Sequence, residues 1–202
     1  EREKLIAHFK ELVDGLLIIM EKPSSEDIFQ GLKVKLQKMC LGANIGLIGK
    51  EFLDVLLNNI QTREEKYKPM FLEGLFYLLA KAHRENNFKL IEHMKTKEDI
   101  LVDIAFDDRH DPQTRSYAFG VLRLIPKEEY IKRLSKIIVE EKDDSYQIVK
   151  ERFAHFFYTL YNRFHDQTLN QVKKLLQHKN DKTRERAQEV YLRMIEFKEG
   201  VM

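Results

Sequence analysis

A chain of 202 residues can bury a sizeable core, as one extended domain or two small ones. Eight glycines and four prolines are too few for a strand-and-turn protein, while Leu, Lys and Glu are abundant, so the composition points to an all-α fold. Charge is balanced, with 16 basic against 16 acidic residues in positions 1–100 and 19 against 17 in the remainder, which argues against partners such as nucleic acid or anionic membranes that call for a basic excess.

The single cysteine, Cys40, rules out an intrachain disulfide, and no Asn-x-Ser/Thr sequon is present. Both features suit a cytoplasmic or nuclear setting. No apolar run approaches the roughly 18 residues of a spanning helix, so membrane insertion is not expected. The chain begins at Glu1 rather than Met, as expected of a trimmed or processed piece of a longer protein.

In chain order, Leu5, Ile6, Phe9, Leu12, Val13, Leu16, Leu17 and Met20 keep the spacing of an amphipathic helix that ends at Pro23. Ser24 or Ser25 supplies a cap for a second helix to about Cys40, with Ile28, Leu32, Leu36 and Met39 on one face. The stretch Gly42–Lys50 invites comparison with a phosphate-binding loop. Asn44 stands where that motif needs its first glycine, Glu51 replaces the hydroxyl residue, and no strand precedes it, so an interhelical turn is the better reading.

Helices over 47–60 and 64–83 follow, with Pro69 tolerable only in a first turn. The apolar Met70, Phe71, Leu72, Leu75, Phe76, Leu78 and Leu79 predict that the second of them is flanked on both sides. A short helix near 88–94 precedes a more regular region. There, first helices are predicted at 98–106, 127–140 and 166–177, and second helices at 112–125, 144–164 and 181–197. Connections are short and no linker interrupts them, so a single domain is expected over 1–202, with irregular hairpins in 1–96 and regular ones in 97–198.

The second helices repeat. Aligning Thr114 with Val149 and Thr183 gives periods of 35 and 34 residues. It places Arg115, Lys150 and Arg184 at one position and Ala118, Phe153 and Ala187 at another. Two-helix units at such a period stack into an α-solenoid.

Asp111, Arg115, Ala118, Leu122 and Ile125 follow a pattern of the form Asp-x-x-x-Arg-x-x-Ala, which resembles the HEAT repeats of the armadillo-type solenoids. Asp181, Arg184 and Ala187 keep it with the acid one place closer, whereas Lys150 and Phe153 depart from it. The resemblance implies a right-handed α-α superhelix of about five hairpins, with Asp and Arg side chains forming hydrogen-bond ladders between neighbouring repeats. It also implies that the second helices line the concave surface.

Candidates for chemistry each have a simpler explanation. Asp107-Asp108-Arg109-His110-Asp111 lacks the ligand spacing of a calcium loop or a zinc site and suits a solvated turn in which Asp111 caps the helix opened by Pro112. The seven histidines never fall four apart, so no metal site is predicted. Cys40 has no local basic pattern to activate it. No catalytic constellation and no cofactor site emerge, and a non-enzymatic protein is expected. The cluster Lys173, Lys174, Lys179, Lys182, Arg184 and Arg186 is offset by Asp181, Glu185 and Glu189 and suits a charged surface.

Phe153, Phe156, Phe157, Leu160 and Phe164 follow a core face, but Tyr158 lies off it. By the repeat alignment, Tyr158 is equivalent to Arg123 and Leu192, and His155 to Gly120 and Glu189. Phe119, Arg123, His155, Tyr158 and Leu192 are therefore the predicted partner-binding residues of a groove. The resulting expectation is a scaffold or adaptor that binds a protein or peptide partner. Nucleic-acid binding, including the HEAT-like glycosylases that remove alkylated bases, is the alternative, and the helical shell of a lipid-transfer protein is a minor one.

Overall fold

The computed structural model describes residues 2–21, 26–42 and 45–199. Among the described residues the chain is all-helical, with eleven α-helices, one 3-10 turn and no strand. It divides into two compact units, Glu1–Ile100 and Leu101–Met202.

In the first unit, α1 (Arg2–Glu21), α2 (Glu26–Gly42), α3 (Ile45–Thr62), a 3-10 turn (Glu65–Tyr67), α4 (Lys68–Arg84) and α5 (Phe88–Lys95) follow one another. The apolar face of α1 buries Phe9, Val13 and Leu17, and the Phe9 ring stacks on Phe52 of α3 at 3.7 Å. Leu5 lies past the edge of that face and is 41% exposed. The caps predicted at Ser24 and Ser25, and the side chains of Leu16, Met20, Ile28 and Leu32, lie outside what is described.

Helix α3 begins at Ile45, so Gly46–Lys50 are helical. A phosphate cradle needs the backbone N–H groups along the whole stretch turned into a loop, whereas those of Gly49 and Lys50, past the first turn, are bonded to the helix's own carbonyls. Ala43 and Asn44 lie outside the described residues. Before α4 the predicted continuous helix is broken into the 3-10 turn and a fresh start at Lys68. Pro69 then falls in the first turn, where its missing N–H would have no intrahelical acceptor.

Helix α4 packs against α2, α3 and α5. Its buried residues include Met70, Phe71, Leu72, Leu75, Leu78, Leu79 and Ala82, as a helix covered on more than one side requires. Gly74 allows α2 to come close, since a Cβ there would sit 3.3 Å from Leu36 and 3.4 Å from the Cys40 sulfur. Asn86 turns the chain into α5 with a φ of 53°, a left-handed conformation that Asn tolerates, and Asn87 caps α5 by accepting from the Leu90 N–H.

The remaining helices are α6 (Asp99–Phe106), α7 (Pro112–Leu122), α8 (Tyr130–Glu140), α9 (Asp143–Arg163), α10 (His165–Leu176) and α11 (Asp181–Glu199). Asp111 caps α7, accepting from the Gln113 and Thr114 N–H groups at 2.8 and 3.3 Å. Helix α7 stops at Leu122, short of the predicted Ile125, because Pro126 has no N–H to give and restricts the residue before it.

Within this unit the second helices pack side by side in the order α7, α9, α11, and α8 packs beside α10. Between the two rows lies an aromatic core. Phe119 meets Phe106 and Phe153 edge to face, with ring centroids 5.4 and 5.9 Å apart, and Tyr130 meets Phe156 at 5.7 Å. Ala118, Phe153 and Ala187, equivalent by repeat alignment, are all fully buried.

Charged side chains bridge successive hairpins through this core. Arg115, 1% exposed, donates through Nε to the Ala105 carbonyl at 3.2 Å and through both terminal nitrogens to Glu141 at 2.9 and 2.6 Å. Arg186 donates to the Ile138 carbonyl at 3.2 Å and to Asp143 at 2.7 Å, and its guanidinium lies 4.3 Å from the Tyr146 ring centroid. Lys182 also pairs with Asp143, and Lys150 with Glu189 at 2.9 Å. Arg186 is therefore a buried bridge and not part of a charged surface. Arg184, its neighbour on the helix, bonds the His178 carbonyl in the turn of its own hairpin.

Removing one partner of a buried, bidentate pair strands the other charge without water. Arg115→Met is expected to destabilise the protein by about 3–5 kcal/mol, and Arg115→Met with Glu141→Leu to recover much of that loss. Urea unfolding of the two single variants and the double variant reads the coupling directly, and independent, additive losses would contradict the pairing.

Candidate binding face on the second helices

Helix α9 buries Tyr146, Val149, Phe153, Phe156, Phe157 and Leu160. That leaves Ile148, Arg152, His155 and Tyr158, spaced by four, three and three residues, along its opposite side. Ile148 is 51% exposed and the others are half-buried. On α7 the matching stripe is Gln113, Ser116, Tyr117 and Gly120. A recess of about 510 Å³ opens between the two helices, lined by Gln113, Ser116, Tyr117, Ile148, Glu151 and Arg152, with the capping Asp111 at its end.

Arg152 reaches across onto α7. Its guanidinium carbon lies 4.5 Å from the Tyr117 ring centroid, and its Nη1 is 2.8 Å from where a Cβ on Gly120 would sit. The lack of a side chain at Gly120 is what admits the arginine. Farther along, His155 stacks on Phe197 of α11 at 3.8 Å, and Tyr158 meets the same ring at 5.6 Å.

Only part of the predicted groove lies on this face. His155 and Tyr158 are on it together, joined through Phe197. Arg123 is the half-buried C-cap residue of α7. Phe119 must be withdrawn. It is fully buried because it shares the core side of α7 with Arg115, Ala118 and Leu122, and a ring packed between Phe106 and Phe153 cannot line a surface.

Leu192 is 50% exposed, but the α11 ring that meets Tyr158 is Phe197. Tyr117 and Arg152 touch at the repeat period of 35 residues. Lys150 and Glu189, like Tyr158 and Phe197, touch at a separation of 39, five more than the 34 of the alignment, so α11 meets α9 more than one helical turn out of register with it. Phe197 could not be singled out from spacing, because it continues the buried series Val190 and Met194.

Burial lowers the proton affinity of His155, and the positive charge of Arg123 lowers it further, with Arg152 and Arg193 adding to the effect and Glu151 opposing it. Arg123 is pushed down in turn by burial and by Arg152. Three arginines from α7, α9 and α11 thus act on one imidazole.

Elsewhere, the Asp107–Asp111 turn satisfies itself. Arg109 pairs with Asp107, holding that carboxyl well below its usual range, and among the described residues no group of three or more His, Cys, Asp and Glu side chains could hold a metal ion. His165 contacts the Tyr161 hydroxyl at 2.8 Å and Asp166 at 2.9 Å, a relay at i, i+4 and i+5 whose partners are open to water. A groove of about 450 Å³ between α1 and α3 carries Lys10 and Arg63 against Asp14, Glu51 and Asp54. Burial pushes the Cys40 thiol up to about 12. No described helix is long and apolar enough to cross a membrane. Compared with protein-family models and with curated proteins, the chain matches none.

The His155 titration followed by NMR should show a midpoint below the ordinary value of about 6.5. Arg123→Ala should raise it, and Phe197→Ala should raise it more, because uncovering the ring removes the larger cause. A midpoint unchanged by both would contradict the packing described. Cys40 should resist an aromatic disulfide reagent at pH 8 in the native protein and react once the protein is unfolded in urea, since only the thiolate attacks.

Proposed function

We propose that this protein is a non-catalytic helical-repeat scaffold of the HEAT-like kind, whose second helices bind a protein partner along the face formed by α7, α9 and α11. The observation that carries this reading is the side-by-side order of those three helices, with Tyr117, Ile148, Arg152, His155, Tyr158 and Phe197 at the surface or half-buried there. Tyr and Arg are the side chains in which binding energy concentrates, and an aliphatic residue beside them can anchor a partner. The charge bridges between hairpins support the repeat reading, because they hold neighbouring units in one relative position.

A protein partner fits this face better than nucleic acid does. Several of the basic residues in the second half of the chain are engaged: Lys182 and Arg186 with Asp143, Arg184 with Asp181, Lys150 with Glu189, and Arg193 with Glu196. What remains is a mixed surface in which acids and aromatic rings alternate with arginines, not a continuous track for phosphates.

Ile148→Ala and Tyr158→Ala should leave the melting temperature nearly unchanged while reducing recovery of specific partners in affinity purification by about tenfold. Phe157→Ala, a core change expected to cost about 3–5 kcal/mol, marks how simple destabilisation looks in the same assay. Full recovery of the same partners by both surface variants would rule this face out.

A further inference from the structure

The α7–α9 end of the face holds two like charges together. Arg152 lies against Tyr117 and over Gly120, and Arg123, whose proton affinity is lowered by burial and by the Arg152 charge, caps the same helix three residues farther on. Among the described residues Arg152 has no carboxylate partner, although exposed Glu151 is its immediate neighbour. A guanidinium fixed on an aromatic face keeps its planar edge of N–H donors available, and that edge matches a carboxylate bidentately. Beside it, the recess sets Tyr117 and Ile148 among polar and charged residues, and at about 510 Å³ it is large enough for one aliphatic or aromatic side chain.

The acids around the recess narrow the choice of guest. Asp111 and Glu151 line the recess along with Arg152, so a chain carrying a negative charge at every link would meet them as well as the arginines. A peptide can place one acid at Arg152 and uncharged residues beside the acids.

We propose that Arg152 forms a carboxylate-reading subsite for an acidic peptide segment of the partner, one Asp or Glu side chain meeting its guanidinium while a neighbouring apolar side chain enters the recess between Tyr117 and Ile148. This rests on the reading that the face binds protein. Gly120 is the positioning element, since it decides where the guanidinium lies.

The test selects a displayed random-peptide library on the full chain at physiological salt, then measures the enriched peptides in solution by fluorescence anisotropy. The enriched sequences should carry an Asp or Glu near an aromatic or branched aliphatic residue. Arg152→Gln, or replacing the peptide's acids by amides, should weaken binding about tenfold, as loss of a charge-assisted bidentate contact does. Gly120→Ala, which keeps every charge but displaces Nη1, should weaken acidic peptides while sparing amide versions of them.

Enriched peptides with no acidic bias, or binding indifferent to Arg152→Gln, would overturn the subsite. If Ile148→Ala and Tyr158→Ala still weakened those peptides, the protein-binding reading would survive that loss. No enrichment at all would overturn both, and salt-sensitive binding of an oligouridine in its place would assign the face to nucleic acid.

Discussion

Burial of one side of α9 is the constraint from which the rest of the second unit follows. A helix carrying Phe153, Phe156 and Phe157 with Tyr146 and Leu160 must cover that side with its neighbours, and a single hairpin is too small to do so. Phe119 and Tyr130 supply the cover from α7 and α8, their rings meeting the α9 rings edge to face as the aromatic quadrupole prefers. Once that side is committed, the opposite stripe of α9 is left at the surface between α7 and α11.

Charged groups then hold the hairpins in a definite relation. Arg115 and Arg186 each reach from a second helix to a main-chain carbonyl and a carboxylate, so their buried donors are met twice over. Such pairs contribute little net stability compared with apolar residues of the same volume, but a shifted arrangement would leave a charge without water or partner. Asp143 illustrates the balance: it is exposed, held below its usual pKa range by Lys182 and Arg186, and serves α11 from the start of α9.

The face that results is built from absences as much as from side chains. Gly120 removes one side chain from α7, Arg152 occupies the space, and a cation comes to rest on a ring. In the first unit Gly74 has a purely structural counterpart, letting α2 close on α4 around Cys40. The two glycines look alike in sequence, and only what fills the vacated space separates a packing role from a positioning one.

Most helix positions, the core faces of α4 and α9, the Asp111 cap and the placement of Tyr158 off the core face of α9 were legible from the chain alone. Apolar periodicity and capping are local properties, and they say which side of a helix must leave water. They do not say how far one helix slides along the next. That offset is decided when ridges of side chains interdigitate and buried charges find partners, which no single helix contains. The slide between α9 and α11 is what placed Phe197 on His155, left Leu192 in solvent and buried Arg186 while Arg184 stayed with its own turn; the packing of rings between layers is what took Phe119 inside.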